Sequence, residues 1–243
     1  MKGARQPPEQ KVMMAKRAWI IAVDGVAGSG KSSICAQAST RLGWDYVNTG
    51  AIYRAVGFLV VQSGNAVDDP QALAAAVQQF TAQFQWDATA HTLRLGGKDI
   101  TGELGTAEIG IAASAVARDP NLRQTLLPIQ RQLALKSVKG CIIEGRDIGT
   151  VVFPDADVKI YMTASLEQRA KRRLIQLQNE SPSTTPPTHT DLIHQLAARD
   201  RQDMGRASAP LSQAQDAIAI DTSTLTVEQC IQKLIDTITQ TLG

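Results

Sequence analysis

An α/β fold built on a parallel sheet flanked by helices is the architecture this chain predicts, and three observations predict it. Residues 18–23 form an apolar run with no polar alternation, which suits a strand buried on both faces. The residues that follow match G-x-x-x-x-G-K-[ST] from Gly25 to Ser32 and lead into a helical pattern over 33–42. Strand-like segments at 44–47, 141–143, 157–162 and 217–221 then alternate with helical ones.

The first strand and its loop carry chemistry as well as structure. Gly25, Gly28 and Gly30 let the backbone turn tightly, so its N–H groups point inward at an anion, with Val26, Ala27 and Ser29 completing the cradle. Lys31 supplies a point charge for the β- and γ-phosphates of a nucleotide, and the Ser32 hydroxyl is placed to reach Mg²⁺. The helix that begins at Ser33 turns its positive end toward the same phosphates. A glycine-rich turn with a surface lysine competes with this reading, and the strand before and helix after weigh against it.

Composition narrows the function classes. A chain of 243 residues holds one substantial α/β domain with an inserted subdomain, and a formal net charge of only +2 speaks against a nucleic-acid-binding protein. Cys35, Cys141 and Cys230 are far apart and odd in number, so they read as small buried residues of a reducing, cytoplasmic compartment. His91, His189 and His194 lack ligand spacing and read as surface or loop residues. No apolar run approaches the roughly 18 residues that a membrane span needs. Residues 1–17 are basic but have no apolar segment or cleavage site, so they read as a disordered extension, with Met13 or Met14 as alternative starts.

Along the chain, Gly43 is a left-handed helix cap, and 48–54 is a polar turn at a strand's carboxyl end, continuing as a helix to about 62. Arg54 sits one helical turn from that ligand edge, or is an ordinary solvated arginine. Asp69-Pro70 opens an alanine-rich helix, and 85–100 then reads as short antiparallel strands, so about 65–125 forms an insert. Helices over 106–118 and 120–138 carry Ser114 and Arg123, polar groups facing that insert. The buried strand 141–143 ends in Glu144-Gly145-Arg146-Asp147, which places Glu144 to approach the Mg²⁺ water shell and Arg146 and Asp147 in the cleft. Residues 165–206 read as a lid region: a helix bearing Arg169, Arg172 and Arg173, a proline-rich tip at 181–190, and a helix with Arg199, Asp203 and Arg206 on one face. Solvated basic faces and intrahelical ion pairs are the competing readings. Thr226 and Gln229 cap the terminal amphipathic helix.

One phosphate cradle, a facing set of arginines, an insert and a basic flap are more cationic equipment than one nucleotide requires. Two phosphorylated ligands brought end to end would require it, because an acceptor phosphate must be neutralised before it attacks another phosphate. No catalytic base is then needed, since the nucleophile is already an anion.

Several stretches closely resemble bacterial cytidylate kinases. They are Asp24-Gly25-x-Ala27-Gly28-x-Gly30-Lys31-Ser32, Thr49-Gly50-Ala51-Ile52-Tyr53-Arg54, Ile100-Thr101-Gly102-Glu103-Leu104, the run from Gly145-Arg146-Asp147 to Pro154-Asp155-Ala156, and Arg199-Asp200-x-x-Asp203-x-x-Arg206. The resemblance implies a P-loop NTPase-type parallel sheet flanked by helices, with an inserted monophosphate-binding subdomain and a helical lid. It implies transfer of the γ-phosphate of ATP to CMP or dCMP with Mg²⁺, in a monomer. Residues 25–33 would hold ATP, with Lys31 bridging phosphates. Arg54 and Arg146 would bind the acceptor phosphate, Ser114, Arg123 and Asp147 would read cytosine, and Thr49 would line that pocket. Arg199 and Asp203 would meet the sugar, Arg206 would approach phosphate, and Arg172 and Arg173 would stabilise transferring charge. Asn48, Glu144 and Gly105 stand where aspartate, aspartate and arginine are expected in that pattern.

Two other readings compete. A P-loop kinase for UMP or an alcohol would keep the fold, although an alcohol calls for a base where this chain supplies arginines. A GTP-binding switch would require an N-K-x-D motif, which is missing.

Overall fold

The computed structural model describes residues 17–180 and 187–243. The expected extension, except Arg17, and residues 181–186 of the proline-rich tip lie outside the described residues, as do Met13 and Met14. Arg17, the last residue of that extension, sets its guanidinium against the Asp157 carboxylate at 2.8 and 3.1 Å.

In chain order the elements are β1 (Trp19–Gly25), α1 (Lys31–Leu42), β2 (Asp45–Asn48), α2 (Thr49–Gln62), α3 (Pro70–Gln83), β3 (Phe84–Asp87), β4 (Thr92–Leu95) and β5 (Lys98–Asp99). They continue as α4 (Ala107–Val116), α5 (Pro120–Leu135), β6 (Gly140–Glu144), β7 (Val158–Thr163), α6 (Leu166–Glu180), α7 (His189–Met204), β8 (Ile218–Asp221) and α8 (Val227–Leu242). Five strands form a parallel sheet in the order β2-β6-β1-β7-β8. Its central strand explains the unbroken apolar run: Ile21 and Val23 pack with α1 and α8, while Ile20 and Ala22 pack against Ala134 of α5 on the other face. Both faces of β1 are therefore dry, which is why no polar residue interrupts it before Asp24.

Local chemistry sets the element ends. Gly43 closes α1 at φ 63°, in the left-handed region. Helix α2 begins at Thr49, earlier than the polar turn implied, because the Asn48 side chain accepts from Ala51 N–H and acts as its cap. Asp69 and Asp119 each cap a helix with proline in its first turn. Thr226 and Gln229 bond reciprocally at the start of α8.

A second, antiparallel sheet of order β3-β4-β5 interrupts the βα alternation. Its apolar residues join Phe80, Leu126 and Val56 in a separate core. The β3–β4 hairpin covers the edge strand β2: Trp86 Nε1 donates to the Tyr46 carbonyl at 2.9 Å, and Tyr46 N–H donates to the Ala88 carbonyl at 3.2 Å. His91 lies in the β3–β4 turn, a loop residue as expected, and is half-buried, its ring set edge-on 4.9 Å from the Tyr46 ring. The three cysteines are all buried thiols.

Helices α2 and α4 approach so closely at Gly57 that a Cβ there would lie 2.9 Å from the Ala113 nitrogen. Gly57→Ala should therefore force the two helices apart, at a cost of about 1–3 kcal/mol. Urea denaturation measures this; an unchanged midpoint would mean that the contact is loose.

Candidate active site

The loop between β1 and α1 turns through three positive φ values, 144° at Gly25, 75° at Gly28 and 91° at Gly30. At Gly25 no side chain could be accommodated, since a Cβ would lie 1.9 Å from the Met162 carbonyl oxygen. Helix α1 begins at Lys31, so Ser32 and Ser33 stand exposed in its first turn. Lys31 Nζ turns back into the loop and donates to the carbonyls of Gly25 and Val26 at 2.7 and 2.8 Å and to Ser29 Oγ at 3.3 Å. Burial, and then the facing Arg146 guanidinium, lower its pKa to about 7, against the pull of Glu144 and Asp24.

Two arginines of α6 fasten the loop from behind. Arg169, read as part of the basic face of a lid helix with a solvated face as the competing reading, is 4% exposed. It donates to the carbonyls of Ala164 and Ala27 at 2.9 and 3.0 Å and pairs with Asp200 of α7 at 2.7 Å. Arg172 donates to the Ser29 carbonyl at 3.3 Å and to Thr222, just past β8. Arg173 makes no hydrogen bond or ion pair among the described residues.

On the neighbouring strand, Glu144 ends β6 with its carboxylate taking the Tyr46 hydroxyl at 2.6 Å, and Tyr46 also bonds the Ser32 side chain. The Thr49 hydroxyl donates to the Glu144 carbonyl at 2.7 Å, which joins α2 to β6. Next comes a turn of π-helix, Ile148–Val152. Asp24 receives its first amides: Ile148 N–H donates to Oδ1 at 2.8 Å and Gly149 N–H to Oδ2 at 2.7 Å. Burial raises the Asp24 pKa to about 6, and these two bonds oppose the rise.

The remaining candidate groups meet around Asp203, which is 2% exposed. Arg146 Nε donates to Asp203 Oδ2 at 2.8 Å, and Arg206 pairs with Oδ1. Arg206 lies beyond the end of α7 rather than on its face, because Gly205 closes that helix. Burial works against ionisation of Asp203, yet Arg146, Arg206 and Arg199 hold its pKa below the ordinary carboxylate value. Arg199 is driven down to about 10 by burial and by Arg146, with Arg54 and Arg206 adding to the effect. Arg123 donates to Asp147 at 2.5 Å, with both side chains 8% exposed, and stands 5.3 Å from the Tyr53 ring. Three buried Nε donors, on Arg123, Arg199 and Arg206, have no partner among the described residues.

Arg54 and Ser114 occupy the insert side. Arg54 donates to the Leu104 carbonyl at 2.6 Å, beside Gly110 of α4. Gly105 faces open space where an arginine was expected, so the contact that such a side chain would make is missing. The Ser114 carbonyl accepts from Gln202 of α7 at 3.0 Å, which ties α7 to α4.

Most of the residues proposed from the sequence fall into two adjoining groups, a backbone cradle around Lys31 and a guanidinium cluster around Asp203, while Arg54 and Ser114 contact the insert and α7 and Arg173 joins neither group. Tyr46 and Gln202 were not singled out, and Asp24, Arg169 and Asp200 were named without a role. A charge at the end of an otherwise apolar strand was the available signal for Asp24; Arg169 offered none, being one arginine among three on its helix. Chemically, the arrangement can neutralise two anionic groups side by side and exclude water from both.

Residues 21–240 match the cytidylate kinase family. The chain is 41% identical to the cytidylate kinase of Geobacter sp. (strain M21), over 92% of this chain and 94% of that one. It is 40% identical to that of Exiguobacterium sp. (strain ATCC BAA-1283 / AT1b), covering 91% and 98%, and 36% identical to that of Aeromonas salmonicida (strain A449), covering 95% and 98%.

Lys31 carries a testable stability signature. Its pKa falls on folding from 10.5 to about 7, so between those values the unfolded chain binds more protons and stability rises with pH. Relative to Lys31→Met, the wild type should gain a few kcal/mol between about pH 7 and 10, measured by urea denaturation. A difference independent of pH would mean that the lysine is hydrated.

Proposed function

The chain belongs to the cytidylate kinase family, and from that membership and the geometry of its cleft we propose that it transfers the γ-phosphoryl group of ATP to CMP or dCMP, giving ADP and CDP or dCDP. The observation that carries the reading is the second cationic group: a buried cluster of arginines adjoining the loop cradle has the charge to hold an acceptor phosphate. The backbone of 25–33 cradles ATP, and Lys31 leaves the Gly25 and Val26 carbonyls to take a phosphate oxygen. Arg146, Arg54 and Arg206 neutralise the acceptor phosphate, which lets its oxygen attack without a base. Arg123 and Asp147 meet the cytosine edge with Ser114, while Thr49 lines the pocket. Arg199 and Asp203 reach the sugar, and Arg172 and Arg173 attend the transferring group.

Ser32 and Glu144 fit a hydrated Mg²⁺. Both bond the Tyr46 hydroxyl, and no group of three metal-ligating side chains exists among the described residues, as suits an ion that keeps its waters and is held by nucleotide phosphates. When bound there, it would neutralise charge on the phosphates. The segment 65–125 serves as the monophosphate-binding insert and 165–206 as the lid of a cytoplasmic monomer; no helix among the described residues is long and apolar enough to cross a membrane.

A coupled ADP-release assay with ATP and Mg²⁺ against CMP, dCMP, UMP, AMP and GMP tests the reading. CMP and dCMP should be strongly preferred; activity confined to another monophosphate would overturn the cytosine assignments at Ser114, Arg123 and Asp147. Lys31→Met should abolish turnover while the fold persists. Asp203→Asn should raise KM for CMP roughly 10- to 100-fold, the worth of a charged hydrogen bond, and KM for ATP less than about threefold. An unchanged KM for CMP would remove Asp203 from the site.

A further inference from the structure

Asp147 stands at the position that would ordinarily cap the π-helical turn Ile148–Val152, yet its side chain makes no capping bond. It points instead to Arg123, 2.5 Å away. Helix-initial amides buried without an acceptor are costly, and an aspartate at that position is the usual one to supply it. Here the acceptor comes from another strand. Asp24, at the end of β1 and 4% exposed, takes Ile148 N–H on one oxygen and Gly149 N–H on the other. Gly149 leaves room on this face, since a Cβ there would press on the Lys159 side chain at 3.2 Å while only touching Asp24 Oδ2 at 3.5 Å. The Asp147 carbonyl is meanwhile occupied by Val151 and Val152 N–H, which fixes the turn from its other side.

We propose that Asp24 is a positioning residue for acceptor recognition: by capping the Ile148–Val152 turn from the neighbouring strand, it frees the Asp147 carboxylate to face Arg123 and the acceptor base. The assignment rests on the CMP kinase reading given above. Asp24 acts on the phosphate cradle only weakly, through the field it adds at Lys31, although the next residue, Gly25, opens that cradle. With Asp24 unable to accept both amides, the Asp147 carboxylate is the nearest replacement cap, and turning inward would take it from Arg123.

Asp24→Asn keeps the shape but sets an amide donor against one of the two N–H groups. Its KM for CMP should rise about tenfold, while KM for ATP stays within about threefold, the loss of a single charged hydrogen bond. The same change made in Asp147→Asn should move KM for CMP by less than about threefold, because the residue through which Asp24 acts is already altered. A KM for CMP that stays unchanged, an equal rise for ATP, or the full effect persisting in the Asp147→Asn background would each overturn the proposal. If Asp24→Asn does not fold, amide hydrogen exchange on the wild type decides. Protection of Ile148 and Gly149 matching that of the β1 amides supports the cap, and loop-like exchange overturns it. Absence of CMP turnover by the wild type would instead remove the underlying reading, and this assignment with it.

Discussion

Charge of one sign gathered out of water is the constraint on which this structure turns. Arg146, Arg199 and Arg206 converge on the single carboxylate of Asp203, and Arg199 is depressed to about 10 by burial and then by its guanidinium neighbours. Breaking such a buried set by removing one partner costs about 3–5 kcal/mol, so its geometry must be held from several directions. Helix α7 brings Arg199 and Asp203, β6 brings Arg146, and Arg206 arrives just after Gly205. The Arg169–Asp200 pair then anchors α7 to the back of the glycine loop through the Ala27 carbonyl. A surplus of guanidinium in a dry cleft is unfavourable alone and becomes favourable when a phosphate dianion enters.

The same logic joins the two halves of the cleft. Strands β1 and β6 are neighbours in the sheet, and each ends in a segment proposed above to meet a ligand: the glycine loop after β1, and Arg146 and Asp147 after β6. Asp24 ties these ends together, and Tyr46 ties Glu144 to Ser32. The insert reaches the same place from outside, through Trp86 on Tyr46, Arg54 on Leu104 and Gln202 on Ser114. A nucleotide held at one end therefore meets groups already oriented by the other, and this preorganisation is what phosphoryl transfer chiefly demands.

Much of this was legible in the residues. The unbroken apolar run of β1, the glycine spacing and the Asp-Pro helix starts are local signals, and each element that they announce is present. The short strands of the insert were readable for the same reason. What could not be read was which polar residue finds which partner across the fold. Arg169, Arg172 and Arg173 lie at helical spacing with equal claims to solvent, but only packing of α6 behind the glycine loop buries the first and leaves the third without a bond among the described residues. Asp147 read as a cleft residue without any hint that its capping duty falls to Asp24, more than a hundred residues earlier in sequence. His91 is the loop residue that it reads as, but its ring contact with Tyr46, on a different sheet, carried no signal.

On the proposed reading, the guanidinium cluster serves a phosphate dianion rather than the nucleoside attached to it. Calorimetric titration of the protein with CMP and with cytidine, under the same conditions, tests it most directly. CMP should bind at least about a hundredfold more tightly, corresponding to about 3 kcal/mol from charge-assisted bonds to buried arginines. Comparable affinities for the two would contradict the account.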